Sequence, residues 1–183
     1  MQRYTFVSLS LLGFLVTACG AAPPAATSAP AASAVPTEVA ASVAARPKAS
    51  APAIAGMDAV LSAYLDEADR LAADTYEATA ATKLKAAADA VAVDPPPAFI
   101  TDLRMAASVY AAAADIASAR RAFDAVSTIL IEYAEAHETA AGLHLVHCPM
   151  VQAPLGGSWL QRGDTVRNPW YGSGMLTCGV KKW

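Results

Sequence analysis

From Met57 onward, apolar residues recur at the spacing of one helix face. Met57, Leu61, Tyr64, Ala68 and Leu71 are separated by 4, 3, 4 and 3 positions, and Tyr76, Ala80, Leu84, Ala87 and Val91 do much the same. A third stripe predicts a helix from about Phe99 to Ala114 that buries Ile100, Leu103, Ala107 and Tyr110. The clearest pattern is the fourth: Ile116, Ala119, Phe123, Val126, Leu130, Tyr133 and His137, spaced 3, 4, 3, 4, 3 and 4. Asp74 or Thr75 can cap the second helix and Asp115 the fourth, while Pro95-Pro96-Pro97 stops whatever precedes it. Alanine on so many inner positions lets helix axes approach closely. The expected fold is mainly α, an antiparallel four-helix bundle over residues 55–141.

At Gly142 the pattern changes. Leu143 to Cys148 is β-prone, Gly156-Gly157 and Gly163-Asp164 read as turns, and Met175 to Lys181 reads as a strand. Residues 142–183 are therefore expected to form a small, loop-rich β cap in one domain with the helices. Its regular core is too small to stand alone, so it must dock on them or be cross-linked. Trp159, Trp170 and Tyr171 are expected to fill it, and Arg120 to pair with an acidic residue or a cap carbonyl. His137 extends the fourth stripe and is expected to be packed at that helix's end. Asp58, Asp66, Glu67 and Asp69 read as a solvated helix face.

The chain before the helices has a different character. Arg3 precedes the apolar run Phe6 to Val16, which ends in Val16-Thr17-Ala18-Cys19. That is a secretory signal, too short to span a bilayer, which takes about 20 residues. The cysteine after Val-Thr-Ala resembles a bacterial lipobox, so residues 1–18 are expected to be removed and Cys19 lipidated, anchoring the chain to a membrane. Gly20, where an inner-membrane lipoprotein of enteric bacteria has Asp, points to the outer membrane and the periplasm. Residues 19–54, with six of the twelve prolines among Ala, Ser and Thr, are expected to be a disordered linker. Without the signal, 12 basic residues face 16 acidic ones. No Lys/Arg run remains, so nucleic acid is not an expected partner.

The chemistry-bearing residues gather at the end. Cys148, Met150, Met175 and Cys178 form a soft sulfur set, to which His144 or His147 could add an imidazole. Thiolate and thioether favour Cu(I) over hard cations. Extended geometry from 144 to 148 puts His144 and Cys148 on one face and turns His147 away. Met175 and Cys178, three apart, meet the others only if the backbone bends near Gly174 or Gly179. The competing use of the same residues is structural. Once Cys19 is lipidated, Cys148 and Cys178 are an even pair in an oxidising compartment, and closing their loop contributes about 3–4 kcal/mol in the chain-entropy model. No acid–base pair, phosphate loop or activated nucleophile is evident, so an enzyme is not expected.

Cys148-Pro149-Met150, then Gly157, Trp159 and Leu160, then Asn168-Pro169 with Tyr171-Gly172, then Met175-Leu176-Thr177-Cys178-Gly179 resemble one bacterial envelope domain family of unassigned function. Arg120, Phe123 and Ser127 match that family's R-x-x-F-x-x-x-S helix, so the resemblance spans residues 57–181. The chain departs from it at Val166, where Ile is usual, and at Trp170, where Tyr is usual. Members occur as lipoproteins and as C-terminal domains of heavy-metal efflux adaptors. The resemblance implies a metal-homeostasis role with Cu(I) or Ag(I) as ligand and efflux components as partners. It carries no catalytic residues. The alternative is a non-catalytic interaction domain of an envelope complex, stapled by Cys148 and Cys178.

Overall fold

The computed structural model describes residues 48–139, 142–152 and 154–183, all in one compact unit. The expected signal, Cys19 and linker residues 20–47 lie outside the described residues. The described chain is mainly α. It comprises α1 (Met57–Ala72), α2 (Ala78–Asp89), α3 (Ala98–Ala111), α4 (Ile116–Ala136), β1 (Leu143–Cys148), β2 (Gly157–Arg162), a 3-10 turn at Gly172–Gly174, and β3 (Val180–Lys181). Among the described residues no helix is long and apolar enough to cross a membrane.

The helical stripes bury as expected. Met57, Leu61, Tyr64, Ala68 and Leu71 are buried on α1, and Ile100, Leu103, Ala107 and Tyr110 on α3. Each helix packs on the next in the chain, and α4 also meets β2. α4 begins in a reciprocal cap: the Asp115 carboxylate accepts the Ser118 N–H at 2.7 Å, while Ser118 Oγ accepts the Asp115 N–H at 3.1 Å. α2 starts only at Ala78, and neither residue expected to cap it does so. Thr75 donates its hydroxyl back to the Arg70 carbonyl at the end of α1, and Asp74 is engaged elsewhere. Tyr76 stays outside the helix, its hydroxyl donating to the carbonyls of Tyr110 and Ala113.

Residues 50–54, expected to belong to the linker, lie along the end of α4. The N–H groups of Ser50 and Ala51 both reach the Ala136 carbonyl, Glu138 N–H returns to the Ala51 carbonyl, and Tyr133 Oη accepts the Ile54 N–H. The segment contributes main-chain groups to all four bonds, and two of them reach a helix-terminal carbonyl that lacks a partner within the helix. An Ala/Pro-rich segment can make them without the apolar periodicity that would have revealed it.

The sheet has the order β2-β1-β3, antiparallel throughout. Two differences from expectation stand out. β2 runs straight from Gly157 to Arg162, where only a turn and core aromatics were expected. β3 holds two residues only, because 175–178 is a turn rather than the start of a strand. The turn brings Gly179 to φ +151, where a side-chain carbon would come 2.8 Å from Trp159 and Val146. Only glycine lets the chain pass so close and run on into β3.

Two polar devices and an aromatic cluster lock cap to helices. The buried Tyr64 hydroxyl on α1 accepts the Leu160 N–H of β2 at 3.2 Å and sits 2.9 Å from Ser127 Oγ on α4. Arg120 on α4 donates to the Leu71 carbonyl (2.7 Å), the Pro169 carbonyl (2.8 Å) and Asp74 Oδ1 (2.7 Å). Edge-to-face contacts of Trp170 with both Phe123 and Trp159 fill the space between. Arg120 thus meets both sequence expectations at once, an acidic partner and a cap carbonyl. Replacing it by Ala should strand two buried-side carbonyls and cost about 2 kcal/mol. The exposed Arg121→Ala should stay within about 0.5 kcal/mol. Equal urea midpoints for the two variants would overturn the assigned role.

Asp74 adds a pH dependence. A hydrogen bond from Ser173, followed by one from Arg120, holds its carboxyl well below the ordinary 3.8. The native state therefore keeps the carboxylate charged more readily than the unfolded chain does. The contribution is full above the ordinary carboxylate range and is lost as pH falls through the depressed native value. The stability gap between wild type and Asp74→Asn should be constant near neutrality and shrink below about pH 4. Parallel stability curves down to pH 2 would contradict this.

Candidate functional site

The structure places the sulfur set as follows. Cys148, at the end of β1, is fully buried and disulfide-bonded to Cys178, with Cα atoms 5.9 Å apart. The residue after Pro149, Met150, is 55% exposed, and its carbonyl accepts the Tyr171 hydroxyl at 2.5 Å. Met175 is half-buried in the turn that carries Cys178, whose N–H donates to the Met175 carbonyl at 3.0 Å. One thioether thus faces outward, and both thiols are spent on each other.

The imidazoles are engaged separately. His144 Nε2 lies 3.5 Å from Asp164 Oδ1, which also takes Lys181 Nζ at 2.8 Å. His147 Nδ1 lies 2.9 Å from Ser158 Oγ on the neighbouring strand. Among the described residues no three His, Cys, Asp or Glu side chains are gathered for a metal ion. The donor set expected for Cu(I) or Ag(I) does not fit this oxidised form, because a disulfide sulfur carries no charge to offer a cation.

The loop that presents Cys178 is built around one residue, Asn168, fully buried. Its Oδ1 accepts the N–H groups of Trp170 (2.8 Å) and Tyr171 (3.1 Å), and its amide nitrogen donates to the Cys178 carbonyl at 2.8 Å. Its own N–H reaches the Leu176 carbonyl at 2.7 Å. Gln161 plays the same part for the preceding loop. Its Oε1 accepts Trp159 Nε1 (3.2 Å) and Arg167 N (3.1 Å), while Nε2 donates to the Gly163 and Thr165 carbonyls. Sequence reasoning assigned neither residue a role. The available signal was Asn before Pro in a glycine-rich segment, where Asx side chains bond the backbone just ahead of them.

One acidic residue expected in solvent is inside. Glu67 is 3% exposed and accepts the Tyr110 hydroxyl at 2.8 Å, with Arg70 Nε 3.4 Å from its other oxygen. Burial pushes its carboxyl above the ordinary carboxylate value. It is a hydrogen-bonded core residue, and the nearby carboxylates Asp66 and Glu77 add to the upward push.

A different surface lies on α3 and α4. Met105 and Val109, 61% and 57% exposed, flank an open groove of about 480 Å³ lined also by Asp102, Ala106, Arg121, Ala122, Ala125 and Ile129. Ile129 joins it to a smaller hollow of about 190 Å³ edged by Phe99, Glu132, Tyr133 and His137. The sequence signal was present but unused. Met105 and Val109, four apart, form a second apolar stripe beside the buried Ile100/Leu103/Ala107/Tyr110 face.

Comparison of the chain with protein-family models, with curated proteins and with solved structures found no match in any of the three.

The staple should matter most to the cap. Changing Cys148 and Cys178 together to Ser should cost about 3–4 kcal/mol, with amide protection lost first in β1, β2 and the 163–179 loops while α1 to α4 stay helical. A single transition that takes the helices with it would show that cap and helices are one cooperative unit.

Proposed function

We propose that this chain is a non-catalytic interaction module of the bacterial cell envelope. In this reading it is a lipoprotein held by Cys19 at the outer membrane, and its helices form an antiparallel four-helix bundle that presents the α3–α4 face to a protein partner. The observation that carries the reading is the pairing of Cys148 with Cys178 beneath a satisfied loop, together with large apolar side chains left in solvent elsewhere. Single exposed apolar residues are ordinary, but Met105, Val109 and Ile129 line one continuous groove. The short turn 112–115 between two helices that pack on each other supports the antiparallel arrangement.

A second reading has one observation in its favour. Met175 and Cys178 share a turn and Met150 stands two residues from Cys148, so reduction would release two thiols with thioethers close along the chain. Cu(I) or Ag(I) binding is then a property of the reduced form only, in keeping with the efflux-adaptor resemblance. A Cu(I) competition titration should show no binding above that of the Cys148/Cys178 double serine variant until reductant opens the pair. Equal binding before and after reduction would remove the cysteines from the account.

The interaction reading is tested by accessibility in place. Met105→Cys should react slowly with a membrane-impermeant maleimide in intact envelopes and quickly once the protein is purified. Lys83→Cys, on the exposed side of α2, should react alike in both. Free reaction of position 105 in the envelope would sink the reading.

A further inference from the structure

The charges around the α3–α4 groove are arranged at opposite ends. On α4, Arg121 stands at one end of an apolar stretch containing Ala122, Ala125 and Ile129, and Glu132 at the other. Phe99 at the start of α3 lies against Tyr133 near the end of α4 and edges the same hollow as Ile129 and Glu132, so Asp102, one turn on from Phe99, falls toward the Ile129 end and Val109 toward Arg121. Arg121, Glu132 and Asp102 are all exposed, and none has an ion pair or hydrogen-bond partner among the described residues. Arg121 acts on Asp115 only as a minor electrostatic influence. The surface is thus cationic at one end, apolar with small residues in the middle, and anionic at the other.

Such a pattern is complementary to its own reversed image. Resting on the interaction reading above, we infer that the partner on the α3–α4 face is a second copy of this chain, with the two α4 helices antiparallel and Arg121 of each copy set against Glu132 and Asp102 of the other. A twofold axis across the helices, passing near Ala125 and Thr128, makes this match twice. The alternative axis, along the helices, would bring the Glu132 of one copy beside the Asp102 of the other and leave both Arg121 side chains against Val109. Like charges facing one another disfavour that arrangement. Ala122 and Ala125 at the crossing let the two α4 axes come close, and Met105, Val109 and Ile129 fill the sides.

The size of the patch sets the strength. Arg121 to Glu132 spans about 17 Å of helix at 1.5 Å per residue. A footprint of that length and two helices wide falls short of the ~800 Å² per partner of a stable standard interface. The contact belongs to the weak class, favoured where copies are confined together.

Proximity cross-linking of the full chain in envelopes tests this. Ala125→Cys should yield a dimer with a short bismaleimide, which ignores the paired Cys148 and Cys178. Ala86→Cys, on the exposed side of α2, should stay monomeric. Adding Arg121→Glu should cut the dimer yield at least about tenfold, and Arg121→Glu with Glu132→Arg should restore it. Helical circular dichroism on each purified variant checks that these exposed changes leave the fold intact. If Met105→Cys is shielded but Ala125→Cys gives no dimer, the second copy is overturned while the interaction reading stands. If position 105 is freely reactive, both fall. A dimer that ignores Arg121→Glu, or that the charge exchange does not rescue, overturns the antiparallel pairing.

Discussion

A pair of thiols can close a loop or hold a soft metal, but not both at the same moment. In this chain Cys148 and Cys178 are joined, and much of the cap follows from that bond. The sheet has one full strand pair and one two-residue strand, too little paired backbone for independent stability. The covalent link ties the end of β1 to the loop that leads into β3, so the strand at the sheet's edge cannot drift from its neighbour. Gly179, with no room for a side chain against Trp159 and Val146, lets the segment follow that path.

Around that bond the cap is held by polar groups that would be costly if left unpaired. Asn168 and Gln161 each satisfy three backbone groups that the irregular loops leave without strand partners, and the Tyr64 hydroxyl takes the Leu160 N–H of β2. Loops of this kind are hard to bury because their amides have no ladder to join. Arg120 extends the same logic to the helices, collecting a carbonyl and a carboxylate from the end of α1 and a carbonyl from the cap. The cap is thus fastened at both scales, covalently within itself and by hydrogen bonds to α1 and α4.

The helices were largely legible from the chain. Period and burial agree from Met57 to Leu71 and from Ala119 to Tyr133, because an amphipathic helix writes its packing face directly into residue spacing. The cap was legible in kind but not in detail. β2 went unseen because both of its faces are buried at Trp159 and Leu160, which erases alternation. Glu67 read as solvent-facing because one carboxylate among several on α1 gives no local sign that Tyr110, distant in sequence, will reach it. The 50–54 segment was invisible for a related reason, since its attachment uses main-chain groups common to every residue. The sulfur residues were all found, but sequence spacing cannot tell a disulfide from a ligand pair.

What the buried core leaves over is the more telling part for function. A helix that faces only the elements next to it needs one apolar stripe, and α3 has two. The second, Met105 and Val109, stays largely uncovered among the described residues, and it exposes unbranched and β-branched apolar surface beside small alanines on α4. Stability alone would favour polar residues there, since exposed apolar side chains gain nothing until something covers them. The polarity of the groove narrows what that cover is. A general hydrophobic sink would need no charges at its ends, whereas Arg121 at one end and Asp102 with Glu132 at the other specify a direction. Direction is information that a partner of matching pattern can use, and the nearest surface that carries that pattern in reverse is the same face of another copy.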